Sequence, residues 1–379
     1  MAGRFSSPVS RRDFLKFLIM ASGTTAMAAF LNACQAAGIT IPAPFPTLTS
    51  TDVPISSSTS TLTQIPSPTN TTTPTVTPDT RIPVVFVKTR DRVAGVQEAL
   101  RLWGQNPVNG KSVALKANFN SANPPPASTH PDTFRTLVQQ LQGMGAKQIT
   151  LAERSGSANT RDVLTQLGIF DLARALGIDA VVMNDRRDPA DWTLLQTPGS
   201  HWPGGFYLSN IFLQADAIFQ TCCLKSHTWG VVTLSLKNAV GMVARYLNGV
   251  NHDFMNELHT GDIGTMAAEI NSAFSPALVL LDGVDAFITG GPEQGQKVHG
   301  DVILAGMDRV AIDAVAIALL RYLGHKGPAS QGPIFEQTQI KRAVELGLGV
   351  NGADKIRLVT GDSDSAAYAE QIQGILLGA

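Results

Sequence analysis

The sequence predicts an α/β fold, a mainly parallel sheet flanked by helices, in a single globular domain that follows a disordered tether. Two observations carry this expectation. From Arg81 onward, short apolar runs rich in β-branched residues alternate with segments of helical periodicity, the pattern of a sheet covered on both faces. Before Arg81 the composition cannot build a core: 28 of the 41 residues from Thr40 to Thr80 are Ser, Thr or Pro, so this segment should stay extended and solvated. The chain has 379 residues, and setting that leading part aside leaves roughly 300, enough to bury a core without disulfide staples.

Taken in order, the chain opens with Ser10-Arg11-Arg12-Asp13-Phe14-Leu15-Lys16, which matches the twin-arginine export consensus. That route carries folded proteins, which fits a domain that loads a metal or cofactor before export. The apolar stretch from Phe17 to Leu31 is diluted by Ser22, Gly23, Thr24 and Thr25. It is too short and too polar for a membrane span, which needs about 20 apolar residues, and reads as a signal peptide. Leu31-Asn32-Ala33-Cys34 resembles a lipobox, with Asn32 an unusual occupant of its position. Lipidation of Cys34 would supply the membrane affinity lost with the leader. The expected organisation is a signal peptide over 1–33, a tether over 34–81 and the α/β domain over 82–379, exported and lipid-anchored to the outer face of a bacterial membrane.

Within the domain, strands are expected at Val84–Lys88, Val113–Lys116, Ile149–Ala152, Ala180–Met183, Ala217–Leu224, Leu278–Leu281, Val302–Ala305 and Ile356–Thr360. Amphipathic helices are expected at Val93–Trp103, Thr133–Met144, Arg161–Leu176, Ile263–Phe274 and Val310–Leu323. The segment after Lys225 reads both ways. Val232, Leu236, Ala239, Val240 and Val243 fit a helix, while residues 231–236 alternate as a strand would. As a helix, its N-terminus near Thr228 would suit an anion.

Composition excludes several classes. Net charge is −1, and near −4 without residues 1–33, so no basic stripe points to nucleic acid. Cys222 and Cys223 are adjacent in an apolar run, where a mutual disulfide would be strained; they read as small buried hydrophobes. With three cysteines in all, no iron–sulfur cluster is expected from this chain alone. Neither G-x-G-x-x-G after a strand nor G-x-x-x-x-G-K-[ST] occurs, and Gly290-Gly291-Pro292-Glu293-Gln294-Gly295 reads as a turn.

Polar residues cluster where the predicted strands end. Lys116 and Asn118 close one run, Glu153 a second, Lys225 and His227 a third, and Asp282 a fourth. In an open parallel sheet the carboxyl ends share one rim, where ligands bind. Lys237 sits in an apolar stretch and should be paired or face a ligand. His252 and His259 are seven residues apart, about 10 Å along a helix and too far to share a metal from one face. Asp308 reads as a helix N-cap. The expected site therefore uses Glu153, His227 and Asp282 as acid–base groups or metal ligands. Lys116, Asn118, Lys225, Lys237, Asn238 and His252 would hold the ligand. The expected partner is a small anion or a divalent metal, bound for turnover or, alternatively, for capture alone.

These motifs together resemble the prokaryotic domain-of-unknown-function 362 family, over about Val84 to Gly361. The resemblance rests on Lys116-Ala117-Asn118, Thr129-His130-Pro131, Ala152-Glu153, Leu224-Lys225-Ser226-His227-Thr228, Ser235-Leu236-Lys237-Asn238, Leu281-Asp282-Gly283, Gly291-Pro292 and Asp308-Arg309-Val310-Ala311-Ile312-Asp313. His252 falls where a later family histidine is expected, and Arg309 departs from a usual proline. The resemblance implies that these strand-end residues form the site, and it implies no reaction. Some relatives carry ferredoxin-like segments, which this chain lacks the cysteines to build.

Overall fold

Eight strands form the spine of one sheet: β1 (Ile82–Lys88), β2 (Ser112–Lys116), β3 (Gln148–Glu153), β4 (Asp179–Val182), β7 (Ala217–His227), β9 (Leu278–Gly290), β11 (Val302–Gly306) and β12 (Ile356–Val359). They include all eight strands expected from the apolar runs. Their order across the sheet is β12-β1-β11-β9-β7-β2-β3-β4. Pairing is parallel from β9 through β7, β2 and β3 to β4, and between β12 and β1. Among these eight, only β11 runs antiparallel to its neighbours, β1 and β9. This computed structural model describes residues 79–378 apart from Ser157 and Pro198. The expected signal peptide, Cys34 and nearly all of the tether lie outside the described residues.

Alternation along each strand sends side chains to two cores. One face of the sheet gives Val85, Val87, Val113, Leu115, Phe219, Leu278, Leu280 and Ile303 to a core closed by α1 (Arg92–Trp103) and α2 (Pro131–Gly143). The other face gives Phe86, Cys222, Leu224, Val279, Leu281 and Leu304 to a second core. That core is closed by α9 (Arg309–Tyr322), which is buried along nearly its whole length, and by α11 (Ser363–Leu377). Cys222 and Cys223 are free thiols inside these layers. On the same face as α9, a third core covers Ala114, Ala152 and Ile218. It includes the two-stranded sheet of β5 (Trp192–Leu195) and β6 (Phe206–Ser209), together with α7 (Phe254–Thr260) and α8 (Ile263–Ile270). Among the described residues no helix is long and apolar enough to cross a membrane.

The departures from expectation have local causes. The helix expected over Arg161–Leu176 is two, α3 (Thr160–Gln166) and α4 (Ile169–Leu176), because Gly168 adopts φ 67° between them and breaks the ladder. The segment after Lys225 is both strand and helix. Thr228, Trp229 and Gly230 turn the chain back, β8 (Val231–Val232) pairs antiparallel with the end of β7, and α6 (Leu234–Asn238) follows. Two non-glycine residues here sit in the left-handed region, Val231 at φ 64° and Leu234 at φ 49°. For a β-branched residue that is a strained conformation, of a kind that collects at functional sites. Asp308 caps α9 by accepting from the Ala311 amide, as expected. The short strands β5, β6, β8 and β10 (Gly295–His299) are too brief to leave a periodicity in the sequence.

Candidate functional site

At the carboxyl ends of β2, β3 and β7 lies a cavity of about 630 Å³. Lys116, Asn118, Glu153, Lys225, His227, Lys237 and Asn238 all line it, so seven of the nine expected catalytic and ligand-binding residues come together. Arg154, Trp229, Thr233, Arg245, Asp253, His259 and Glu293 also line it; none of these seven belongs to the expected site.

The hairpin is what brings Lys225 and Lys237 into one cavity. Ser226 pairs with Val232 and His227 with Val231, and the Thr233 amide donates to the Lys225 carbonyl at 3.1 Å. Helix α6 is then held from behind by Asp313 of α9. Its carboxylate accepts from the Ser235 amide at 2.8 Å, the Ser235 hydroxyl at 2.6 Å, the Leu236 amide at 3.1 Å and the Gln339 side chain at 2.8 Å. These bonds satisfy donors that a short buried helix leaves open. Burial raises the Asp313 carboxyl to about 6 even so.

The two lysines sit differently. Lys225 is fully buried and donates to Asn118 Oδ1 at 2.7 Å and to the Ala127 carbonyl. Asn118 in turn donates to Asn238 Oδ1 at 3.2 Å, and Asn238 to the Thr221 carbonyl at 3.2 Å. Burial lowers Lys225 to about 8, with the thiols of Cys223 and Cys222 and the carboxylate of Glu293 acting against that shift. Lys237 has no hydrogen-bond or ion-pair partner among the described residues. Burial lowers it to about 7, and the charges of Lys225 and Arg154 push the same way. Its aliphatic stem lies against Gly230, where an added Cβ would stand 2.6 Å from Cε; only glycine allows that approach.

His227 is held neutral. Its Nδ1 accepts from the Trp229 amide at 3.0 Å and the Gly230 amide at 2.8 Å. Burial first, then Lys237, Lys225 and His259, drive its pKa far below the ordinary histidine value. With Nδ1 accepting, the ring proton is on Nε2, so His227 offers the cavity a donor and not a base. His259 has the opposite arrangement. Its Nδ1 lies 2.6 Å from the Met255 carbonyl, which can only accept, so Nδ1 is protonated and Nε2 of the neutral ring is a proton acceptor.

The expected acids do other work. Glu153 is buried in a close ion pair with Lys116 and also accepts from the Arg154 amide at 2.9 Å. Burial pushes Glu153 up and Lys116 down, both towards their neutral forms. Arg154 spends its guanidinium on the Val243, Ser155 and Val240 carbonyls. Asp282 is not in the cavity. It pairs in register with Cys223 and so shares the face of Leu280, where it binds Arg92 at 2.8 Å and Thr133 Oγ1 at 2.6 Å. A strand-end argument predicts proximity to the rim but not which face a side chain takes, and β9 runs on past Asp282 to Gly290. His252 also lies outside the cavity lining. It is half-exposed, stacks on Phe254 and pairs with Glu257.

Gly290 and Gly291 form the turn from β9 into β10, as expected. At Gly291, with φ 77°, a Cβ would fall 2.1 Å from the Ser226 carbonyl. This contact sets Pro292 and Glu293 at the cavity wall. Arg154 and Glu293 neighbour residues that the sequence singles out, whereas no spacing signal separates His259 from any other surface histidine. Among the described residues no group of three or more His, Cys, Asp or Glu side chains is placed to hold a metal ion.

The chain is similar to the thylakoid-associated protein sll1697 of Synechocystis sp., at 27% identity over 214 residues. That match covers 56% of this chain and 64% of the relative, so it spans somewhat less than two thirds of the relative's length. Among solved structures it is similar to the lactate racemase apoprotein of Thermoanaerobacterium thermosaccharolyticum, at 14% identity and a TM-score of 0.36, covering 78% of this chain and 87% of that one. A profile of the family described as "Domain of unknown function (DUF362)" matches residues 113–318. That stretch holds every residue lining the cavity, and the chain belongs to this family.

Proposed function

We propose that the protein is an enzyme acting on an anionic substrate. Lys225 and Lys237 hold the negative charge, His227 Nε2–H donates to a substrate oxygen, and His259 Nε2 takes a proton. The observation that carries this reading is Lys237, a half-buried amine that lines the cavity with no hydrogen-bond or ion-pair partner among the described residues. A partly desolvated ammonium beside the fully buried Lys225 favours an anion as the partner of both. Lys225 is the standing cation: its two acceptors favour the ammonium form, which is still protonated at neutral pH. Preorganised cations and N–H donors of this kind stabilise developing negative charge. The free groups are donors and ammoniums rather than clustered carboxylates, which favours an anion over a divalent metal as the ligand.

Melting of the full chain with inorganic phosphate, acetate, malonate and citrate at constant ionic strength tests the binding step. At least one anion should raise the melting temperature, and Lys225→Ala should abolish the rise. No response to any of them, or an equal response in Lys225→Ala, would overturn the reading. The catalytic step is tested by following the stabilising anion for chemical change, which His259→Ala should stop while its melting response persists. Binding without change would leave capture, the alternative reading.

We also propose export and lipid attachment at Cys34, which would place the cavity outside the cytoplasm. Metabolic labelling with an alkynyl fatty acid should mark the protein, and Cys34→Ser should lose the label.

A further inference from the structure

We propose that Lys237 is a nucleophile that forms an imine with an anionic carbonyl compound, an α-oxo acid or an aldehyde bearing a carboxylate or phosphate. This rests on the anion site described above and names its substrate class.

The geometry separates the two lysines by what surrounds each nitrogen. Lys225 is tied to Asn118 Oδ1 and to a backbone carbonyl, both of which stabilise an ammonium and occupy its donors. Lys237 has neither, and the neighbouring charges of Lys225 and Arg154 repel its own. An amine in such surroundings keeps its lone pair free for attack. Its direction is fixed as well, since the stem is packed on Gly230, and Gly230 donates to the His227 ring at 2.8 Å. The nucleophile and the Nε2–H donor are therefore both held against Gly230.

Each proton in the step has a place. The Lys237 Nζ lone pair attacks the carbonyl carbon, the C–N bond forms, and the carbonyl oxygen becomes an alkoxide beside His227 Nε2–H. His259 Nε2 accepts the proton that the nitrogen loses, and returns it to the oxygen. The hydroxyl then leaves as water with a second proton from nitrogen, giving C=N. Amine and carbonyl are consumed, imine and water are formed, and no oxidant or reductant enters. Lys225 holds the substrate's carboxylate or phosphate throughout. A three-carbon oxo acid occupies only a fraction of the 630 Å³, so the cavity has room for a larger compound. Trp229, 75% exposed at the cavity wall, is the surface that its far end would meet.

The test incubates the full chain with glyoxylate or pyruvate and sodium cyanoborohydride at pH 7, then maps adducts by peptide mass spectrometry. The expected result is one reduced adduct, on Lys237, favoured over exposed lysines by on the order of a thousandfold from the larger amine fraction alone. Lys237→Arg, checked for fold by circular dichroism, should carry no adduct. In the wild-type chain the labelling rate should already level off above pH 7, whereas exposed lysines keep gaining towards pH 10. The same oxo acids are also scored for a melting shift without reductant. A shift with no Lys237 adduct overturns the imine and leaves the anion site standing. An adduct spread over many lysines overturns the imine too. Neither shift nor adduct overturns the imine, and the anion site then stands or falls on the phosphate, acetate, malonate and citrate series.

Discussion

Two regions of the same sheet bury charge, and they do so in opposite ways. Around Asp282, on the face covered by α1 and α2, every charge has its answer. Arg92 bridges Asp282 at 2.8 Å and Asp285 at 2.9 Å, while Lys297 at 3.2 Å and His299 at 3.0 Å close on Asp285 from β10. In the cavity the charges are left open. Among the described residues Lys237 has no hydrogen-bond or ion-pair partner, and Lys225 has only neutral acceptors within hydrogen-bond reach. Completed networks hold elements together, here β10 and α1 onto β9. Incomplete ones lower the stability of the free protein and are completed by something that binds. The difference is the reason the proposed site is the cavity and not the Asp282 cluster.

The largest expected effect falls on the completed side. Asp282→Ala would leave Arg92 facing a lone Asp285 and remove the acceptor of Thr133, with a loss of about 3 kcal/mol or more of stability in chemical denaturation. Anion-induced melting shifts should survive it. If Asp282→Ala removed the anion response at unchanged stability, the contrast between the two regions would collapse.

The next effect is a pH dependence. Lys237 titrates near 7 in the folded chain and at its ordinary 10.5 when unfolded. Between those values the unfolded chain binds more protons, so stability should rise with pH, on the order of 3 kcal/mol from pH 7 to 10 in anion-free buffer. Lys225, lowered to about 8, adds to the upper part of the rise. Lys237→Met should flatten the lower part and make the protein more stable at pH 7, as expected when an unpaired, partly desolvated charge is removed. A flat profile in the wild-type chain would mean that Lys237 has a partner after all.

Smaller effects sharpen the picture. Gly230→Ala puts a methyl 2.6 Å from Lys237 Cε, so the lysine must swing aside. Affinity for the stabilising anion should fall about tenfold, or 1.4 kcal/mol, with little change in the melting temperature of the free protein. His299→Ala removes a 62% exposed partner of Asp285 and should shift stability by less than about 1 kcal/mol. A larger loss would show that β10 depends on this one pair.

Much of this is legible in the sequence alone. Eight apolar, β-branched runs mark the eight strands of the sheet's spine because a strand buried on both faces must be apolar at nearly every position. Lys116, Lys225 and Glu153 are conspicuous against those runs for the same reason, and Lys237 stands out in an apolar segment that alternates and repeats at once. That mixed periodicity is itself accurate: the segment is a two-residue strand followed by a five-residue helix.

Other features lie beyond a one-dimensional reading. Whether Asp282 faces the cavity or α1 depends on its register with Cys223. Whether His227 is a base or a donor depends on two amides folded back onto Nδ1, and His259 enters the site only because α7 is packed over the strand ends. The local sequence determines which residues are apolar, which elements they form and where the polar exceptions fall, since those follow from burial and backbone preference over a few residues. Tertiary structure alone decides which exceptions are paired and which are left open, because pairing is a relation between residues as distant as Lys225 and Asn118, and only the packed sheet brings them within reach.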